Sequence, residues 1–285
     1  MHELVKYVMR GPKQAILLAS ISVMLPMMFW FGAATIALIT LRQGLSQGLV
    51  VFIWTIIPAL GWWFGLQDPG ALIVLISTFA MAAVLRYTVS WQSTLVTGGV
   101  ISLVTGLLAP YIMPEMIDML VEMGKVMLQD LAKSAPEEYN TILDNAFRTL
   151  MIASFAASFY GMAVGSVFLA RSWQARLFNP GGWQEEFHQM RLSPRFVLGV
   201  VGAVIFASAI NIEPVLVLMI ATVPFIVCGL ALVHGVVGKR KLGGQWIFGL
   251  YASVFILFPT VLILLVVLAL LDSLVNFRSR VQAQQ

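Results

Sequence analysis

Glu185 and His188 set a carboxylate and an imidazole one helical turn apart, inside the stretch FNPGGWQEEFHQMRL that runs from Phe178 to Leu192. One E-x-x-H unit is half of the ligand set that a di-iron bundle collects from facing helices, and the chain has no second unit. A pair of this kind, with Glu186 beside it, could otherwise serve an enzyme acting on lipid at the inner interface, but the ordinary use of such residues is a solvated helix face. Just ahead of them, Asn179-Pro180-Gly181-Gly182 is turn chemistry, with two glycines free to take positive φ. After the turn, Trp183, Phe187 and Met190 or Arg191 recur at helical spacing, while Gln184, Glu185, His188 and Gln189 take the other sides. The pattern predicts a short helix along a membrane surface, with its aromatics at headgroup depth and Arg171, Arg176, Arg191 and Arg195 near anionic lipid. Such a helix either anchors its loop or meets a partner, which makes Asn179, Pro180, Gly181, Gly182, Trp183, Glu185, Glu186, Phe187 and His188 the candidate docking set.

Other chemistry is sparse. Met113, Met116, Met119, Met123 and Met127 are thioethers that suit Cu(I), but no His or Cys accompanies them and adaptable packing explains them. Cys228 is the single cysteine, so there is no disulfide framework and no cysteine metal site. No HExxH, P-loop, facing aspartate pair or Ser-His-Asp spacing occurs, and mid-span positions are apolar. The expectation is a protein that is not an enzyme and holds no metal or cofactor.

These residues are carried by a membrane chain. Hydrophobic residues make up 60% of the sequence, charged residues 11%, and mean hydropathy is +0.92, whereas soluble domains are about 25% charged. Apolar segments run at about 15–40, 48–66, 70–85, 92–111, 148–170, 196–210, 214–235 and 245–271. Backbone in lipid must satisfy itself, so the segments are helices. The first holds 26 residues, about 39 Å as one helix, and Pro26 near its middle favours a break. Two short helices in a hairpin are expected, with one tilted helix as the rival. The fold expected is an all-α polytopic transmembrane bundle, one domain over 1–285, with that hairpin, about seven further spans, an external amphipathic helix within 112–147 and a cytoplasmic interfacial helix within 171–195.

Charge sets the sidedness. With the acidic stretch from Glu115 to Arg148 outside, alternation puts 12 of the 17 basic residues inside, including Lys6, Arg10, Lys13, the 171–195 loop and Lys239-Arg240-Lys241. The N-terminus is then cytoplasmic, and the location expected is a bacterial inner membrane. Arg278 and Arg280 fall outside in this scheme. Basic residues spread over short loops make no nucleic-acid patch.

In the acidic stretch, Glu115, Asp118, Glu122, Lys125 and Gln129 share one helical face, with Met116, Leu120, Met123, Met127 and Leu131 opposite. Small residues recur every four positions at Ala153, Ala157, Gly161, Gly165, at Gly199, Ala203, Ala207 and at Ala33, Ala37, which predicts close helix packing. Outward polar and aromatic groups that could grip a solute are Trp62, Trp63, Asn145, Arg148, Asn211 and Glu213, with Asp68 and Asp144 beside them; helix capping and interfacial anchoring explain them equally well.

At ARSWQARLFNPGGWQEEFHQMRL, Ala170 to Leu192, and onward from the LRQG turn at Leu41 to Gly44, the chain resembles the YybS-like family of bacterial multi-pass membrane proteins. That family is similar to the S components of energy-coupling-factor transporters. The resemblance implies a transport-associated protein that binds a small solute from outside, engages membrane or cytoplasmic partners inside, and uses small residues such as Ala33 and Ala37 for coupling. The alternative is a non-transporting scaffold or assembly factor whose inner loop recruits a protein partner.

Overall fold

The computed structural model describes residues 2–132 and 137–280, without the side chains of residues 2, 125, 127–143 and 279. Among these the chain is all helix, in the order α1 (His2–Val8), α2 (Pro12–Met24), α3 (Phe29–Gln43), α4 (Leu45–Leu66), α5 (Gly70–Thr88), α6 (Trp91–Ile112), α7 (Pro114–Ala132), α8 (Glu137–Phe178), α9 (Gly182–Gln189), α10 (Pro194–Ala207), a 3-10 turn (Ser208–Ile210), α11 (Pro214–Lys239), α12 (Gln245–Ile256), α13 (Phe258–Val275) and α14 (Phe277–Arg280). Six helices are long and apolar enough to cross a membrane: α4, α5, α6, the 144–178 part of α8, α11 and α13. The count reaches seven if α9 and α10, bent by 58°, form one broken span. The packing divides the chain into two compact units, residues 1–174 with 204–220 and residues 175–203 with 221–285.

In the first unit the chain breaks where Pro26 directs. α2 begins with Pro12 in its first turn, where a missing N–H is harmless, and ends at Leu25; α3 starts four residues later. The two pack on each other so closely that a Cβ on Gly32 would lie 2.8 Å from the Ala19 carbonyl oxygen. From Gly32 to Leu41 every residue of α3 is buried. A helix apolar all round belongs at the centre of a bundle, and α2, α4 and α5 pack around α3 there. From α8, the Ser166 hydroxyl donates to the Trp30 carbonyl at 3.0 Å, and Trp173 meets Phe31 edge-on. Arg86, in the last turn of α5, donates to the Thr40 and Leu41 carbonyls at the end of α3. A cation on orphan C-terminal carbonyls satisfies them and complements the helix dipole.

Two expectations are corrected. α7 buries Ile117 and Val121, and Met113 just ahead of it, with Ile73 and Ala109, while Met116 packs at the edge of that cluster. The apolar face therefore sits one residue off the expected Met116, Leu120, Met123 stripe, and Met123 is exposed; the side chains of Lys125, Met127, Gln129 and Leu131 lie outside the described residues. Of the methionines here, Met113 is buried and Met119 and Met123 are exposed. On α8 the buried line is Ala153, Ala156, Tyr160, Ala163 and Val167, and added Cβ atoms on Gly161, Gly165 or Gly199 would meet nothing within 4 Å. Those glycines are not tight-packing contacts, because a four-residue spacing alone fits two neighbouring faces of the helix.

In the second unit the apolar run expected as one span from 245 to 271 is two helices. α12 stops at Ile256, and α13 restarts with Pro259 in its first turn, the arrangement already met at Pro12. α13 packs on α11 closely enough that a Cβ on Gly229 would collide with the Leu265 carbonyl.

Candidate functional site

The second unit gathers the E-x-x-H helix, the end of α11 and the end of α13 around one cleft of about 470 Å³, lined by Glu185, His188, Gln189, Gly235, Val236, Gly238, Lys239 and Arg278. The approach to it is built by the turn. Gly181 has φ +90° and the Gly182 N–H donates to the Asn179 carbonyl at 3.1 Å, as a turn with Pro then Gly at its centre requires. α9 begins directly after this turn. Its aromatics point inward: Trp183 and Phe187 have ring centroids 5.5 Å apart, and Phe187 meets His234 of α11 edge-on at 5.4 Å. His234 Nδ1 lies 2.8 Å from the Leu230 carbonyl and so carries the hydrogen, leaving Nε2 to accept from the Tyr251 hydroxyl at 3.4 Å. Met190 and Leu192 then bury the exit of the loop.

Arginines lock this arrangement. Arg278 Nη1 donates to the His188 carbonyl at 2.7 Å and Nη2 to the Cys228 carbonyl at 3.5 Å. Arg191 donates from Nε to the Asp272 carbonyl at 2.9 Å and from Nη2 to the Ser273 carbonyl at 2.8 Å. The Asp272 carboxylate, only 3% exposed, stands 3.7 Å from Arg278 Nε and 3.9 Å from Arg191 Nε, and its Oδ1 accepts from the Phe277 N–H at 2.9 Å. Lys239 Nζ closes the ring on the Arg278 carbonyl at 2.9 Å. The physical logic is helix termination. α9 and α13 bring C-terminal ends here, each presenting unpaired carbonyls and a partial negative charge; Arg278 answers the first and Arg191 the second, while Lys239 at the end of α11 bonds the Arg278 carbonyl. One buried carboxylate between two guanidiniums offsets the excess positive charge.

Arg278 was expected on the side opposite the 171–195 loop. Its hydrogen bond to His188 corrects that: the break before Pro259 turns the chain back, so the end of α13 lies beside the end of α11. The imidazole of His188 is held below its ordinary pKa, first by burial and then by electrostatic interaction with His234 and Arg278. It therefore stands neutral near pH 7 and is a hydrogen-bonding group of the cleft rather than a charge.

Of the expected docking residues, Asn179, Pro180, Gly181 and Glu185 are exposed, while Gly182 is buried and Trp183 and Phe187 face their own unit. Ala33 and Ala37 are fully buried among this chain's helices, so they are not a docking surface; the close approach they permit is made within the first unit. The expected solute-gripping residues lie at or near helix ends. Trp62 Nε1 donates to the Val23 carbonyl at 2.7 Å and Trp63 Nε1 to the Ile112 carbonyl at 3.2 Å, each tying one helix to another. Arg148 pairs with Asp118 at 2.6 Å. Asn211 takes φ +56° to end the 3-10 turn, the Glu213 carbonyl accepts from the Leu216 N–H, and Asn145 is exposed. Asp68 accepts from the Gly70 N–H at the start of α5.

Glu185 and His188 do share a cleft, as one helical turn of separation allows. Among the described residues no group of three or more His, Cys, Asp and Glu side chains converges, so the half motif is not completed in space. Asp272, Lys239 and Arg278 were missed as site residues. The available signal was an aspartate at the end of a long apolar run, which needs a partner cation; both partners come from elsewhere in the chain. Compared with known proteins, the chain matches no family model, no curated protein and no solved structure.

Proposed function

We propose that this is a non-enzymatic multi-pass protein of a bacterial cytoplasmic membrane, with its N-terminus inside, whose second unit presents the 179–189 segment on the cytoplasmic face to recruit a protein partner. The observation that carries this reading is the Arg278 clamp. Binding surfaces gain affinity when their geometry is fixed in advance, and here the carbonyl at the end of α9 is held by an arginine from the far end of the same unit. The exposed Asn179, Pro180, Gly181 and Glu185 are then offered from a rigid support. The six helices long and apolar enough to cross a membrane support a membrane role. Solute capture from outside, as in S components, has weaker support, because Trp62, Trp63 and Arg148 are engaged in holding the helices together.

The test is cross-linking capture from the native membrane. A photoreactive residue at position 180 should trap a specific protein, and the same residue at exposed position 198 should not. A small molecule that co-purifies and raises the melting temperature, with no trapped protein, would replace the docking reading by the transport one.

A further inference from the structure

We propose that the cleft over Gly235 and Gly238 binds the headgroup of a zwitterionic phospholipid, with its phosphate on Lys239 and Arg278 and its ammonium on Glu185. This goes beyond protein docking and rests only on α11 being a membrane span. Lys239 is the last residue of that 26-residue apolar helix, so the cleft lies at the depth where lipid phosphates lie.

The donors suit a phosphate. Lys239 gives one hydrogen to the Arg278 carbonyl and has two more. In Arg278, Nη1 and Nη2 each give one hydrogen to a carbonyl and each carry a second. Two cations on neighbouring strands of chain form the kind of charge-assisted contact that phosphate oxygens accept. The space is larger than a bare phosphate needs, at about 470 Å³, and leaves room for the attached alcohol. Residues 235 and 238 have no side chains, which lets His188 of α9 sit directly on α11 at the edge of the cleft; a Cβ on Gly238 would lie 2.7 Å from the His188 ring.

Glu185 supplies the selectivity. An exposed carboxylate in the same cleft repels a free phosphate dianion and a headgroup that is only negative, but it accepts hydrogen bonds from a primary ammonium. A phosphate with an ammonium two carbons away satisfies both ends. A trimethylammonium has no N–H to give and satisfies one.

The experiment uses the full chain purified in mild detergent and exposed to mixed micelles of phosphatidylethanolamine, phosphatidylglycerol and phosphatidylcholine in equal parts, with bound lipid counted by native mass spectrometry. Phosphatidylethanolamine should be retained over the other two. Lys239→Ala should weaken that retention about five- to tenfold, and Glu185→Gln should erase the preference over phosphatidylglycerol while keeping phosphate-dependent binding. Should Lys239→Ala lower the melting temperature, Lys239→Gln replaces it. Phosphatidylglycerol preferred by the wild type, equal retention in Lys239→Ala, or a preference unchanged in Glu185→Gln each overturns the proposal. Displacement of lipid by millimolar inorganic phosphate as readily as by phosphoethanolamine would make this a free-anion site and also overturn it. Partner trapping at position 180 is scored separately, so either reading can fail alone.

Discussion

Replacing Arg278 with alanine removes the link between α9, α11 and α13. The guanidinium gives a 2.7 Å hydrogen bond to the His188 carbonyl, a longer one to Cys228, and an ion pair to Asp272 at 3.7 Å. Breaking a buried ion pair by deleting one partner costs about 3–5 kcal/mol, because the remaining charge is left uncompensated. Here Asp272 keeps Arg191 at 3.9 Å and the Phe277 N–H, and the Arg278 side chain is 15% exposed, so the loss should be about 2–3 kcal/mol. At 1.4 kcal/mol per factor of ten, the 182–191 backbone should open about 30- to 150-fold more often. Hydrogen exchange followed by mass spectrometry reads this directly: peptides covering 182–191 should lose protection by that factor, while peptides from α3 should not change. Arg278→Lys keeps the charge but not the planar fork and should fall between the two. Unchanged exchange at 182–191 in Arg278→Ala would refute the claim that this side chain holds α9.

Gly235→Ala should destabilise the second unit by about 1–3 kcal/mol, seen as earlier thermal unfolding, because the new Cβ would stand 2.8 Å from the His188 carbonyl oxygen and backbone has to shift. Acidification should loosen α9. The His188 pKa is lowered in the folded state, so full stability holds above the unfolded value of about 6.5 and declines as pH falls through it toward the folded value; the pH dependence of exchange at 182–191 should flatten in His188→Gln. Trp62→Phe should cost about 1 kcal/mol in melting experiments by leaving the Val23 carbonyl without its donor. Ile36→Ala, at a fully buried position of α3, should cost about 2–5 kcal/mol by the same measurement.

The spans and the N-terminal break were legible because the signals are local. Unbroken apolar runs bounded by turn residues gave 48–66, 70–85 and 92–111 for what are Leu45–Leu66, Gly70–Thr88 and Trp91–Ile112, and Ser90 caps the last of these through its hydroxyl. Pro26 announced its break by the same rule that marks Pro259, where the surrounding apolar run concealed it. The turn at Asn179 to Gly182 was readable from residue types, since few sequences other than Pro-Gly fit its backbone. The clamp was not readable. Asp272 draws its cations from 81 residues upstream and six downstream, and periodicity carries no information about which loop meets which helix end. Helical spacing also cannot choose between adjacent faces, which is why Gly161 and Gly165 were read as contacts and Ala156 and Tyr160 were not.

The sheathing of α3 has a consequence for biosynthesis. With 15 residues it is about 22 Å long, too short to cross a bilayer core of about 30 Å alone, and Arg42 sits in its last turn. A ribosome delivers it before α4, α5 and α8 exist to surround it. The nascent chain must therefore hold α3 at the surface or within the insertion machinery until roughly a hundred more residues have followed. Truncations ending between α3 and α8 should leave this helix open to protease, and protection should arrive only when residues near Ser166 and Trp173 have emerged.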